Sequence, residues 1–147
     1  MRLELTKRGD YGVRAMVALA SAPPGGLMSV RRIADEMGIP VRFLPQVMGD
    51  LARAGLVTST TGRAGGYRLA RPATDVSLLD VVEAVEGDSR RRTCILRGVP
   101  CGLAGTTCAV HDPFFAAQDA MIGQLSSADL ASIARARRGL PPDPGGA

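Results

Sequence analysis

Tryptophan is absent from this 147-residue chain, and two tyrosines with three phenylalanines make up only 3% of it. A core of aromatic rings is thereby excluded. With 46% apolar residues, the interior has to come from Val, Leu, Ile, Met and Ala. Long apolar runs are missing too. Val13 to Ala20 follows Lys7 and Arg8 in the manner of a secretory signal, but Asp10 and Arg14 interrupt the stretch. Nowhere do the roughly 20 apolar residues of a membrane span run together. The expectation is a cytoplasmic protein with no membrane segment, whose thiols stay reduced. Cysteine is scarce but not scattered, since Cys94, Cys101 and Cys108 are the only three. An odd, clustered set is no disulfide framework; it reads as a ligand set or a redox site.

The length suits one compact domain with at most an appended element. A formal charge of +4 favours an anionic partner without choosing between nucleic acid and a membrane surface. Val13, Met16, Val17 and Ala20 share one face of a helix predicted over about Thr6 to Ala20, which Pro23-Pro24-Gly25-Gly26 ends. Ser29 caps a second helix carrying Val30, Ile33, Ala34 and Met37, with Gly38 just past its end. After a short turn, Leu44, Val47, Met48 and Leu51 mark a third helix that stops at Gly55. Proline is comfortable only in a first helical turn, so Pro45 requires this helix to start late or to open distorted.

Two helices on a tight turn have the form of a helix-turn-helix. The β-prone run Leu56 to Thr60, the turn Gly62-Arg63-Ala64-Gly65-Gly66 and the strand Tyr67-Arg68-Leu69 then make a hairpin in the position of a wing. Candidate DNA contacts are Ser29, Val41, Arg42, Phe43 and Gln46 at the helix pair, with Arg42 suited to guanine or phosphate and Gln46 to adenine. In the wing they are Arg63, Gly65, Gly66, Tyr67 and Arg68, where glycines admit the sugar–phosphate chain. The competing view makes these arginines ordinary solvated residues of a helical hairpin.

Ser77 and Asp80 predict a capped fourth helix running to Gly87. Residues 88–110 lack periodicity and read as a long loop. Asp112-Pro113 reads as an N-cap with proline at the first position of a long helix, followed by a last helix near Ala128 to Arg138. The tail, 139–147, is expected to be disordered. The loop carries Cys94-x6-Cys101-x6-Cys108-x2-His111, and His111 is the only histidine. Thiolates and imidazole suit iron–sulfur clusters and zinc. Structural zinc draws on tighter cysteine pairs, whereas six-residue spacings suit a loop draped over a larger cluster. A metal-free thiol switch stays open. No α/β pocket pattern supports catalysis, so no enzyme is expected. A small electron carrier would have no use for a wing.

The chain resembles the IscR–NsrR superfamily of bacterial iron–sulfur regulators. The resemblance lies in Leu5-Thr6-Lys7-Arg8-Gly9-Asp10-Tyr11-Gly12-Val13-Arg14, Phe43-Leu44-Pro45-Gln46, Leu51-Ala52-Arg53-Ala54-Gly55-Leu56-Val57, Gly65-Gly66-Tyr67-Arg68-Leu69 and the three-cysteine loop. It implies a mainly α fold with a small β wing. Residues 1–72 would be a winged helix-turn-helix DNA-binding region, and residues 73–138 the cluster loop and dimerisation helices. It further implies a homodimeric repressor on a palindromic double-stranded operator, controlled by redox state, nitric oxide or cluster supply. His111 matches the fourth ligand of a two-iron (2Fe–2S) cluster, which is favoured. Asp10 matches the aspartate that some members lend from the partner subunit to a four-iron (4Fe–4S) cluster. Two departures stand out: the family's cysteine spacings are more often five than six, and Thr61 replaces an arginine often found before the wing glycine.

Overall fold

The computed structural model describes residues 3–91, 93–101 and 107–136. The helices are α1 (Lys7–Ser21), α2 (Val30–Met37), α3 (Leu44–Arg53), α4 (Leu78–Glu86), α5 (His111–Ser127) and α6 (Leu130–Arg135). Between α3 and α4 lies an antiparallel pair, β1 (Val57–Thr60) and β2 (Gly66–Leu69), in the register Val57↔Leu69 to Thr60↔Gly66. The fold is mainly helical with a small two-stranded wing, as the sequence implies.

Each helix start has a chemical reason. Thr6 accepts the Gly9 N–H at 3.1 Å, while the Glu86 carboxylate accepts the Thr6 N–H at 2.6 Å. Two donors that a helix start leaves orphaned are thus satisfied. Ser29 accepts from the Arg32 N–H at 3.2 Å, and Gly38 closes α2 with φ +66°. Ser77 and Asp80 complete a reciprocal capping box on α4. Asp129 caps α6, and the Ser132 hydroxyl and N–H hold its carboxyl below the usual carboxylate range. The Pro45 problem is resolved by a 3-10 turn over Val41–Phe43, after which α3 begins at Leu44. Pro45 then sits in the first turn, where its missing N–H has no helical partner to lose.

Two boundaries differ from expectation. Asp112 is not the N-cap of α5: the helix begins two residues earlier than expected, at His111 after Val110, with no side-chain cap. The Cys108 carbonyl accepts the His111 N–H at 3.0 Å, and that turn starts the helix. Asp112 and Pro113 still belong in a first turn, because an acidic group favours the positive helix end and proline needs no donor there. The last helix starts at Leu130 and its bounds end at Arg135; residues 137–147, including the expected disordered tail, lie outside the described residues.

α1 packs against α2, α3, α4 and α6. The largest fully buried side chains are Met, Leu, Ile and Val, among them Met16, Ile33, Leu44, Met48, Leu51, Val81 and Leu130. This core draws on both sides of residue 72. Close approach of α1 to α4 needs small residues: a Cβ on Gly12 would lie 2.8 Å from Val85 Cγ2, and one on Gly9 would meet the Glu86 carboxylate. Among the described residues no helix is long and apolar enough to cross a membrane.

Candidate nucleic-acid interface and cysteine pocket

The turn before α3 and its first residues divide cleanly by side. Leu44, Val47, Met48 and Leu51 are buried, while Val41, Arg42, Phe43, Pro45 and Gln46 are exposed. Two large apolar residues therefore lie open at the start of the second helix of the pair, Val41 at 51% and Phe43 at 42% exposure. The ring of Phe43 is held from within: the buried Tyr11 of α1 stacks on it at 5.9 Å and 25°. The Arg42 guanidinium lies over the same ring, 4.7 Å from its centroid. Asp50 ties α3 to α1 through its ion pair with Arg8, and it also pairs with Arg53 within α3. The Ser29 oxygen is engaged as the α2 cap, although the residue itself is exposed.

In the wing, Arg63 and Arg68 are exposed and Tyr67 is half-buried. Tyr67 and Met28 exchange both backbone hydrogen bonds, at 2.8 and 2.9 Å, so the loop before α2 acts as a third edge of the hairpin. Gly66 makes this contact sterically feasible: a Cβ there would sit 2.5 Å from the Met28 carbonyl oxygen. A Cβ on Gly65 would run into the Thr60 carbonyl. The wing glycines thus have a requirement inside the protein, besides any approach to DNA.

The loop after α4 is pinned to α5 by Arg90 with Asp119 at 2.7 Å, and by the Arg91 N–H with Gln118 Oε1 at 2.6 Å. Cys94 then opens a tight turn in which its carbonyl accepts the Gly98 N–H at 2.8 Å. The N–H groups of Arg97 and Leu96 face the Cys94 sulfur and hold its thiol below the ordinary value. Burial, followed by the proximity of Cys94, pushes the Cys101 thiol up. Cys94 and Cys108 Sγ stand 3.9 Å apart. All three cysteines and His111 line one cavity of about 490 Å³, walled by Phe114, Phe115 and Met121 of α5. His111 stacks on Phe115 at 4.2 Å, and its Nδ1 is buried without a hydrogen-bond partner. Among the described residues no three of these side chains yet form a closed metal-binding shell.

The donor chemistry nevertheless fits a thiolate-bound metal group. Two thiolates about 2.3 Å from one tetrahedral ion are separated by about 3.8 Å, close to the Cys94–Cys108 spacing. Asp10 is not in this cavity's lining. Its carboxylate accepts from Arg14 Nε at 2.9 Å, and Arg14, 4% exposed, is the buried charge of α1. Sequence reasoning missed the Tyr11–Phe43–Arg42 stack and the Arg90 and Arg91 anchors. The scarcity of aromatic residues was the available signal for the first. Nothing marked the second.

The profile of the Rrf2 family, described as an iron-dependent transcriptional regulator, matches residues 5–136. A Mycobacterium tuberculosis (strain H37Rv) protein named as an HTH-type transcriptional regulator is 35% identical over 133 residues, which cover 90% of this chain and 81% of the relative. CymR, the global cysteine regulator of B. subtilis, superposes with a TM-score of 0.77 at 26% identity, covering 92% of this chain and 98% of that one. IscR of T. potens superposes with a TM-score of 0.74 at 27% identity, covering 92% and 89%. A winged helix-turn-helix, a family match over nearly the whole described chain and regulators as relatives lead to one assignment: the chain belongs to the Rrf2 family of transcriptional regulators and is a DNA-binding protein.

Proposed function

We propose that the protein is a cytoplasmic homodimeric repressor whose affinity for a palindromic operator is set by an iron–sulfur cluster on Cys94, Cys101, Cys108 and His111. The observation that carries this reading is the convergence of all three thiols and the one imidazole on a single cavity. The three thiolates would hold iron directly, and His111, with its unpartnered Nδ1, would complete the set of a two-iron cluster. The cluster would supply a redox- or nitric-oxide-sensitive centre. Cys108 and His111 form the turn that starts α5, so ligation would act directly on that helix. No α5 side chain is fully buried, and Phe114, Phe115, Met121, Ile122 and Leu125 remain half-open along it. A partner's α5 is the occupant we assign to that apolar face. Residues 1–72 would then be the DNA-binding region, with 73–138 joining cluster and dimer interface.

The test is anaerobic purification, with visible spectra, iron and sulfide analysis, and duplex binding by loaded, oxidised and cluster-free protein. Iron and sulfide should be present, and the three forms should differ in affinity. A dimer is expected by sedimentation, on half-sites about 10 bp or a multiple apart. Iron-free protein with one unvarying affinity overturns the reading.

One observation favours a second, metal-free reading, namely the 3.9 Å between Cys94 and Cys108 Sγ. In cluster-free protein an added disulfide oxidant could take two electrons and two protons from this pair, leaving a Cys94–Cys108 bond. Peptide mapping would detect it, and a matching change in DNA affinity without iron would select this reading.

Asp10 discriminates between cluster types. Asp10→Asn should lower stability by about 1–3 kcal/mol, because it removes the carboxylate charge that partners the buried Arg14. The visible spectrum should be unchanged. A spectrum lost in Asp10→Asn but kept in His111→Ala would instead indicate a four-iron cluster completed across the dimer.

A further inference from the structure

Large exposed apolar side chains among the described residues fall at three places: Leu3 and Leu5 near the start, Val41 and Phe43 before α3, and Ile95, Leu96 and Val99 in the cysteine loop. The pair before α3 is set apart because the arginine between its members is stacked on one of them. Phe43 is not a loose surface ring. It rests on Tyr11, which is 5% exposed, and carries the Arg42 guanidinium on it. A stacked arginine loses part of its rotamer freedom before any ligand arrives, and its planar fork keeps donors available at the edge. Helix start, apolar ring and fixed guanidinium therefore form one composite surface at the end that a helix-turn-helix presents to the major groove.

Only one apolar group projects from base edges in that groove, the C5 methyl of thymine, and the best partner for a guanidinium fork there is guanine N7 with O6. We propose that Phe43 and Arg42 act as a unit that reads adjacent thymine and guanine bases, with Val41 extending the methyl-binding surface. Tyr11 is a positioning residue: it touches no DNA and sets the plane of Phe43. This rests on the assignment of the chain as a sequence-specific DNA-binding protein, and it names the bases read.

The experiment uses the full chain, purified anaerobically, to select a binding duplex from a random library. Each thymine of the selected duplex is then replaced singly by uracil, which removes the methyl and keeps every hydrogen-bonding group. Burial of one methyl group corresponds to about fourfold in affinity, so at one position per half-site uracil should weaken wild-type binding by about that factor. Phe43→Ala should bind thymine and uracil duplexes equally. At the neighbouring guanine, 7-deazaguanine should weaken wild-type binding but not that of Arg42→Ala. Tyr11→Phe should keep the thymine preference, whereas Tyr11→Leu should lose it and retain non-specific duplex binding. Wild-type protein indifferent to uracil at every position, or Phe43→Ala with undiminished discrimination, overturns the proposal. Tyr11→Leu with full discrimination removes the positioning role alone. If no duplex is enriched, the sequence-specific reading itself fails, and this one with it.

Discussion

Anaerobically purified Cys94→Ala, Cys101→Ala and Cys108→Ala are each expected to lack visible iron–sulfur absorption and to lose the difference in DNA affinity between loaded and cluster-free protein. In the proposed cluster each thiolate would contribute charge neutralisation and a direct bond to iron, and no other sulfur lines the cavity except the thioether of Met121. Cys94 should give the cleanest loss. Its tight turn aims two backbone N–H groups at the sulfur, which stabilises the thiolate that binds metal. Alanine there removes the ligand while leaving the turn's Cys94–Gly98 backbone hydrogen bond available. His111→Ala should be milder, with the cluster retained and its spectrum shifted, since water can take a fourth position. An imidazole binds metal only when neutral, so acidification should displace His111 from the wild-type cluster, and this pH response should be absent in His111→Ala. Visible titrations of the two proteins check it. Identical pH profiles would remove His111 from the ligand set, while full spectra in any cysteine variant would remove that cysteine.

The same cavity shows why some of the site was legible in the sequence and some was not. Ligand chemistry is local: three cysteines and a histidine within 18 residues can be read without knowing the fold. Helix starts are local as well, and Thr6, Ser29 and Ser77 cap the helices their side chains suit. Asp112 misled because the chain offered two compatible starts two residues apart, and the backbone turn at Cys108 decided between them. What could not be read is pairing between distant segments. The Tyr11–Phe43 stack joins α1 to the turn before α3, and Arg90–Asp119 joins the loop to α5. Periodicity assigned Tyr11 no partner. Yet scarcity itself carried information: of the five aromatic residues, only Tyr11 is buried in the core, where it stacks on the exposed Phe43, while Tyr67 lies in the wing and Phe114 and Phe115 wall the cysteine cavity. Apart from Tyr11 the core is aliphatic, as the composition required, and the other four rings lie in half-buried or exposed positions.

The wing yields the largest expected effect on stability. Gly66→Ala should lower it by about 2–4 kcal/mol. A Cβ there would lie 2.5 Å from the Met28 carbonyl oxygen and 2.7 Å from its carbon, both backbone atoms that no rotamer change can move. Relief requires the hairpin to part from the loop before α2, which breaks the two Met28–Tyr67 hydrogen bonds, each contributing about 1 kcal/mol. The backbone of Gly66, at φ +156°, adds about 1–2 kcal/mol of strain for a residue with a side chain. For a domain of this size each kcal/mol shifts Tm by about 2–4 °C, so a fall of roughly 10 °C is expected by calorimetry. Arg63→Ala is the contrasting variant. Its side chain is exposed at the wing tip, so Tm should hold. Affinity should fall for all duplex sequences alike, and the dependence on salt should flatten by about one counterion, as loss of a phosphate contact requires. If Gly66→Ala keeps its Tm but loses DNA affinity, the glycine serves the nucleic acid's approach and not the junction with α2. If Arg63→Ala changes neither affinity nor salt slope, the wing tip lies clear of the duplex.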